Sequence, residues 1–151
     1  MPEWASVLVG VATGTVVTCV GVYYGEWLRD RRTWRKQGAQ LVARVRVLLQ
    51  EADPASFSLG TMRARNQGHG RELWRRWREL EEPFLAFGLL GSRDVREFSK
   101  QAATDVSFTI QALRNSVDDD VEDANRAKML QTTKQLRAQA GESLDRLEEA
   151  L

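Results

Sequence analysis

Between Glu3 and Glu26 the chain runs for 22 residues, 4–25, without a charged side chain: WASVLVGVATGTVVTCVGVYYG. Wound as an α-helix at 1.5 Å per residue, such a run is about 33 Å long, enough for a hydrocarbon layer of roughly 30 Å. Trp4 stands at one end and Tyr23, Tyr24 and Trp27 at the other, where amphipathic rings sit at the two membrane interfaces. Arg29, Arg31, Arg32, Arg35 and Lys36 follow directly. A basic cluster of this kind stays on the cytoplasmic side, against lipid headgroups. The expected protein crosses an inner or plasma membrane once, with its N-terminus outside and its C-terminal domain cytoplasmic. A cleaved signal peptide is disfavoured, because Met1–Ser6 has no basic side chain ahead of the apolar run. A single buried strand rarely extends for so many residues.

The same run has a patterned face. Ser6, Gly10, Gly14, Thr18, Gly21 and Gly25 recur at spacings of 4, 4, 4, 3 and 4. On a helix they fall within an arc of about 100°. Small residues let two helix backbones approach closely in lipid, so this face is the expected helix-association surface. The partner is a second copy or another membrane protein. Cys19, deep inside the run, reads as a packing residue.

Charge is segregated along the rest of the chain. There are 22 Lys+Arg against 21 Asp+Glu, for a net of +1. Residues 26–52 nevertheless carry a net of +4, and residues 118–151 a net of −4. Near-neutrality disfavours a nucleic-acid partner, whose binding draws on excess basic charge. One His and one Cys exclude a disulfide framework and a zinc site built from this chain's own Cys and His. A single His also cannot supply the paired Glu-xx-His motifs of a di-iron bundle. The acidic run Asp118, Asp119, Asp120, Glu122 and Asp123 lacks the glycine and terminal glutamate of a calcium loop. It fits the first turn of a helix, where acids stabilise the positive end of the dipole. No GxSxG elbow or phosphate-binding GxxxxGK[ST] loop is present. No catalytic residue, cofactor, metal or small-molecule substrate is expected, and the chain does not read as an enzyme. His69, in a Gly-rich GHG stretch, reads as a solvated loop residue.

The cytosolic part reads as helices. Trp27, Trp34, Leu41 and Leu48 repeat every seven residues, with Val45 on the flank. The membrane helix is expected to continue as a basic stalk over 26–52, where Asp53-Pro54 stops it, and to pair as a short coiled coil or equally to pack on the domain below as a fourth bundle member. Residues 53–70, rich in Gly and Ser, read as a loop or hinge. A bundle domain follows over 71–151. Its first helix spans about 71–87, with Leu73, Trp77, Leu80 and Phe84 on one face and a kink or a break expected near Glu82, ahead of Pro83. Gly88–Gly91 is a turn and Ser92 an N-cap. The next helix, 93–117, has the stripe Val95, Phe98, Ala102, Val106, Ile110 (or Thr109), Leu113 and Val117. The last, about 120–150, has Met129, Thr133, Leu136, Ala140, Leu144, Leu147 and Leu151 in a heptad-like seam. The fold class is thus all-α: a single transmembrane helix, a helical stalk, then a small antiparallel bundle.

One cytosolic segment stands out. Arg71, Trp74, Arg75, Trp77 and Arg78 place arginines on one side of a helix and apolar rings beside them. That is the layout of an interfacial helix on anionic lipid, and equally that of a bundle helix with a solvated basic face. The whole points to a single-pass, membrane-anchored interaction protein, an adaptor, scaffold or regulatory subunit working by helix–helix association. The competing reading is a small membrane-active protein that oligomerises in the bilayer and perturbs its permeability.

Overall fold

A computed structural model describes residues 29–56, 63–117 and 123–151. They contain four α-helices and no strand: α1 over 29–51, α2 Arg63–Leu89, α3 Arg93–Ser116 and α4 Asp123–Ala150, with a 3-10 turn at Pro54–Ser56. Residues 1–25, with the entire predicted association face from Ser6 to Gly25, lie outside the described residues. Among those described, no helix is long and apolar enough to cross a membrane.

The chain divides into two units, Met1–Gln37 and Gly38–Leu151. Of the two alternatives for the stalk, residues 38–52 take the second and pack with the later helices. Val42, Val45, Leu48, Leu49 and Ala52 are buried. Leu41, expected on the seam, is only half-buried. The buried arc is wide because α1 meets two neighbours, and a strict seven-residue column follows only one.

Helix directions follow from the cross-contacts. Gly38 of α1 meets Phe87 of α2, and Glu51 pairs with Arg76, so these helices run antiparallel. Trp77 bonds Ser107, and Gly88 lies on Ser99, so α2 and α3 do likewise. Arg46 reaches Asp145 and Glu148 while Arg137 reaches Leu49 and Asp53, which sets α4 antiparallel to α1. The result is an up-down-up-down four-helix bundle over Gly38–Leu151.

Two glycines set how closely helices approach. A Cβ on Gly38 would collide with the Phe87 ring, lying 2.8 Å from its Cε2. One on Gly88 would overlap the Ser99 hydroxyl and lie 2.6 Å from the Ser99 Cβ. These backbones touch side chains directly, so any larger residue wedges the pair apart.

Local signals explain the elements, with two corrections. Ser92 caps α3 by accepting from the Val95 amide at 3.3 Å. Its buried residues include Val95, Ala102, Val106, Thr109, Ile110 and Leu113, while Phe98 is only half-buried. In α4, Thr133, Ala140, Leu144 and Leu147 are buried. The first correction concerns the expected loop over 53–70, because α2 begins at Arg63 and residues 63–70 are helical. Gly70 is a packing residue here, since its Cβ would sit 3.3 Å from Val117 Cγ2 and 3.5 Å from Arg114 Cα. Docking on α3 outweighs the weak helix propensity of NQGHG. The second concerns the break expected, as an alternative to a kink, near Glu82: α2 runs on through Pro83 as one helix. Pro83 and Glu79, whose carbonyl it leaves unbonded, are both exposed, so water can satisfy that group. Phe84 and Phe87 hold the helix in the core on the other side.

The segregated charge closes the bundle. Arg46, in the basic segment, bonds Asp145 and Glu148 of the acidic tail, each at 2.6 Å. Arg137 donates to the Leu49 carbonyl at 2.8 Å and to Asp53 at 3.1 Å, satisfying the last turn of α1.

Candidate functional site

The arginine–tryptophan helix resolves into a core side and a neutralised surface. Trp77 is fully buried, its indole N–H donates to Ser107 Oγ at 2.8 Å, and its ring meets Phe84 edge-on at 6.3 Å. It therefore packs in the bundle and presents nothing to lipid. Trp74 is half-buried beneath the Arg78 guanidinium, which lies 5.8 Å from its ring centre. Arg75 bonds Glu72 at 2.6 Å and Glu79 at 2.8 Å, and Arg78 bonds Glu81 at 2.6 Å. The hydrogen bond from Arg75 holds the Glu72 carboxyl below its ordinary range. Acids on the same helix thus pair with Arg75 and Arg78, while Arg76 bonds Glu51 of α1.

The other predicted residues fall apart in space. Arg29, Arg31, Arg32, Arg35 and Lys36 are all exposed on the first turns of α1, in the unit before Gly38. Arg71 is exposed at the opposite end of α2 from the turn, beside Arg114, where Gln67 and Val117 complete a recess of about 150 Å³. His69 lies on α2, not in a loop, with Nε2 3.4 Å from the Glu51 carbonyl oxygen. No group of three His, Cys, Asp or Glu able to hold a metal occurs among the described residues. The acidic positions 118–122 are outside them.

A surface that sequence reasoning did not single out is better formed. Between α2 and α3 runs an open groove of about 500 Å³. Leu85, Ala103 and Thr104 line its middle. One end, near the Gly88–Ser99 contact, carries Leu89, Arg96 and Lys100; the other carries Glu81, Ser107 and Phe108. Leu89 is 56% exposed and Phe108 55%. Two large, exposed apolar side chains that line one groove are more than scattered surface residues. The groove exists because Gly88 and Ser99 bring the helices together at the turn end, while small side chains, Ala103 and Thr104, leave the middle shallow. The signal for it was in the sequence: Phe108 lies off the apolar stripe of α3, an aromatic ring on the wrong face.

Nothing in the groove resembles a reaction centre; its chemistry is an apolar floor with a cation pair at one end and a carboxylate at the other. Comparison with known protein families, curated proteins and solved structures found no match.

Proposed function

We propose that this chain is a membrane-anchored helical interaction protein, held in the bilayer by residues 4–25 and acting through the surface of its bundle. The observation that carries the association half is the α2–α3 groove with its exposed Leu89 and Phe108. The anchor half draws on the uncharged run and the five cations after it. On this reading the basic first turns of α1 lie at the cytoplasmic headgroups, and the bundle works in the cytoplasm as an adaptor, scaffold or regulatory subunit.

The anchor has a direct test. Full-length protein is expected to stay in the membrane pellet through alkaline carbonate extraction. Replacing both Val16 and Val17 with Arg adds about 2.5–3.5 kcal/mol each to insertion at the bilayer centre. The doubly substituted protein is expected in the supernatant. Extraction of the wild type by carbonate would overturn the anchor. Rapid loss of membrane potential on induced expression, followed with a potential-sensitive dye, would replace the adaptor reading with that of a permeabilising assembly.

A further inference from the structure

The flank between α2 and α3 is cationic at both ends and apolar between them. On α3, Lys100, Ser107 and Arg114 recur every seven residues, and on α2 Arg71, Arg78 and Leu85 do the same, so each set keeps to one side of its helix. Arg96 and Lys100 mark the turn end of this flank, and Arg71 with Arg114 the other. Arg96 is held in place by the Leu89 carbonyl, at 3.3 Å. From Arg96 to Arg114 is about 27 Å at 1.5 Å per residue. No acid among the described residues pairs with any of these four cations. Glu81, the carboxylate in the groove lining, is already neutralised by Arg78 at 2.6 Å. Glu97, next to Arg96 in sequence, lies outside the lining. We infer that this flank receives an amphipathic helix of a partner protein, apolar along its middle and carrying Asp or Glu toward both ends. Shape selects a helix. The floor at Leu85 and Ala103 is recessed between Leu89 on the α2 rim and Phe108 on the α3 rim. A helix about 10 Å across touches the floor and both rims, whereas a flat bilayer surface would rest on the rims alone. Charge selects an acidic helix, whose carboxylates meet the unpaired guanidinium and ammonium groups at each end. The same charge disfavours a second copy, because two such flanks would set cations on cations.

This inference names the partner's chemistry for the association half of the proposed function and rests on that half alone, not on the anchor. The test places the photoreactive residue p-benzoylphenylalanine at Phe108 of the full-length chain, in the membranes of the cells that make it. Irradiation is expected to join it to one other protein. Peptide mass mapping is expected to put the attachment in a segment with apolar residues at i, i+3 or i+4, and i+7, and with Asp or Glu at each end. The same photoreactive residue at Gln131, exposed on α4, is expected to give no such product. Arg96→Glu together with Lys100→Glu should lower the yield at Phe108 by about tenfold, and exchanging the mapped acids for Lys should restore it. Arg44→Glu, which reverses an exposed cation on α1, should leave the yield unchanged. All three substitutions are on the surface, and an unchanged circular dichroism spectrum checks that the bundle is intact. Attachment to another copy of this chain, a mapped segment without acids, or an undiminished yield after the charge reversal would overturn the inference and leave the association half standing. Attachment to lipid, or no product at Phe108, would overturn both. Carbonate extraction judges the anchor independently of these readouts.

Discussion

Trp77→Ala is expected to remove about 3–5 kcal/mol of stability, the range for deleting a fully buried aromatic side chain. The indole is 0% exposed, between α2 and α3, and edge-on to Phe84. Alanine in its place would leave a cavity that the Gly88–Ser99 contact prevents α2 and α3 from closing, because that end already touches. The N–H···Oγ bond to Ser107 is the smaller part, since Ser107 is half-exposed and can turn to water. Trp77→Phe keeps most of the ring and is expected to cost about 1–2 kcal/mol. Small domains have only about 5–15 kcal/mol to lose, so the alanine variant should be visibly frayed at room temperature. Urea unfolding of full-length protein in detergent, followed by circular dichroism, measures both. A loss below about 1 kcal/mol for Trp77→Ala would mean that this ring faces outward, as an interfacial helix requires.

The second large effect is expected at Asp105. This carboxylate is 4% exposed, inside the α3–α4 contact. Gln139 donates to Oδ1 at 3.1 Å, Ser143 to Oδ2 at 2.6 Å, and Gln101 to both oxygens at 3.1 Å. Burying a charge is costly unless its acceptors are filled, and here donors from two helices fill them. Asp105→Ala would strand the Ser143 hydroxyl, itself only 6% exposed. Hydrogen bonds to a charged group contribute about 1.5–3 kcal/mol, so a loss of about 2–4 kcal/mol is expected by urea unfolding. Asp105→Asn keeps the shape and one acceptor, and about half that loss is expected. Unchanged or higher stability for Asp105→Ala would show that the cluster adds nothing net, as happens at some buried ionic sites.

The cluster also fixes register. The α4 seam is built partly from Thr133 and Ala140, small residues that would pack almost as well one turn along. Asp105 can meet Gln139 and Ser143 together at one setting only, which is how a buried polar group selects one alignment among apolar alternatives.

What the sequence made legible follows from the same physics. The α3 stripe, the Ser92 cap and the α4 seam depend on short-range spacing, and most of their positions are where spacing put them, with Phe98, Met129, Leu136 and Leu151 only half-buried. The start of α2 was hidden because Gly68 and Gly70 look like punctuation, yet Gly70 sits on a close packing contact with Val117 and Arg114. Pro83 reads as a helix break, but the cost of its missing N–H falls on the solvent side. Residues 38–52 were legible as a helix from their seven-residue repeat, but the repeat alone could not choose between a coiled coil and packing on the bundle. Their partners, Asp145 and Glu148, lie about a hundred positions away, a separation no local pattern reports. For the site, the basic face of Arg71, Arg75 and Arg78 was legible, but that Glu79 and Glu81 pair with two of these arginines shows only in the folded helix. The groove depends on which flank of α3 is left uncovered, and only the assembled bundle determines that.

The most direct test of the association at the centre of this account is the absolute protein mass of the full-length chain in mild detergent, by light scattering. The account predicts an assembly heavier than the 17.1 kDa chain, built from its own copies or with a different chain, and its loss in Phe108→Glu. A stable monomer at micromolar concentration, with no other chain bound, would contradict it.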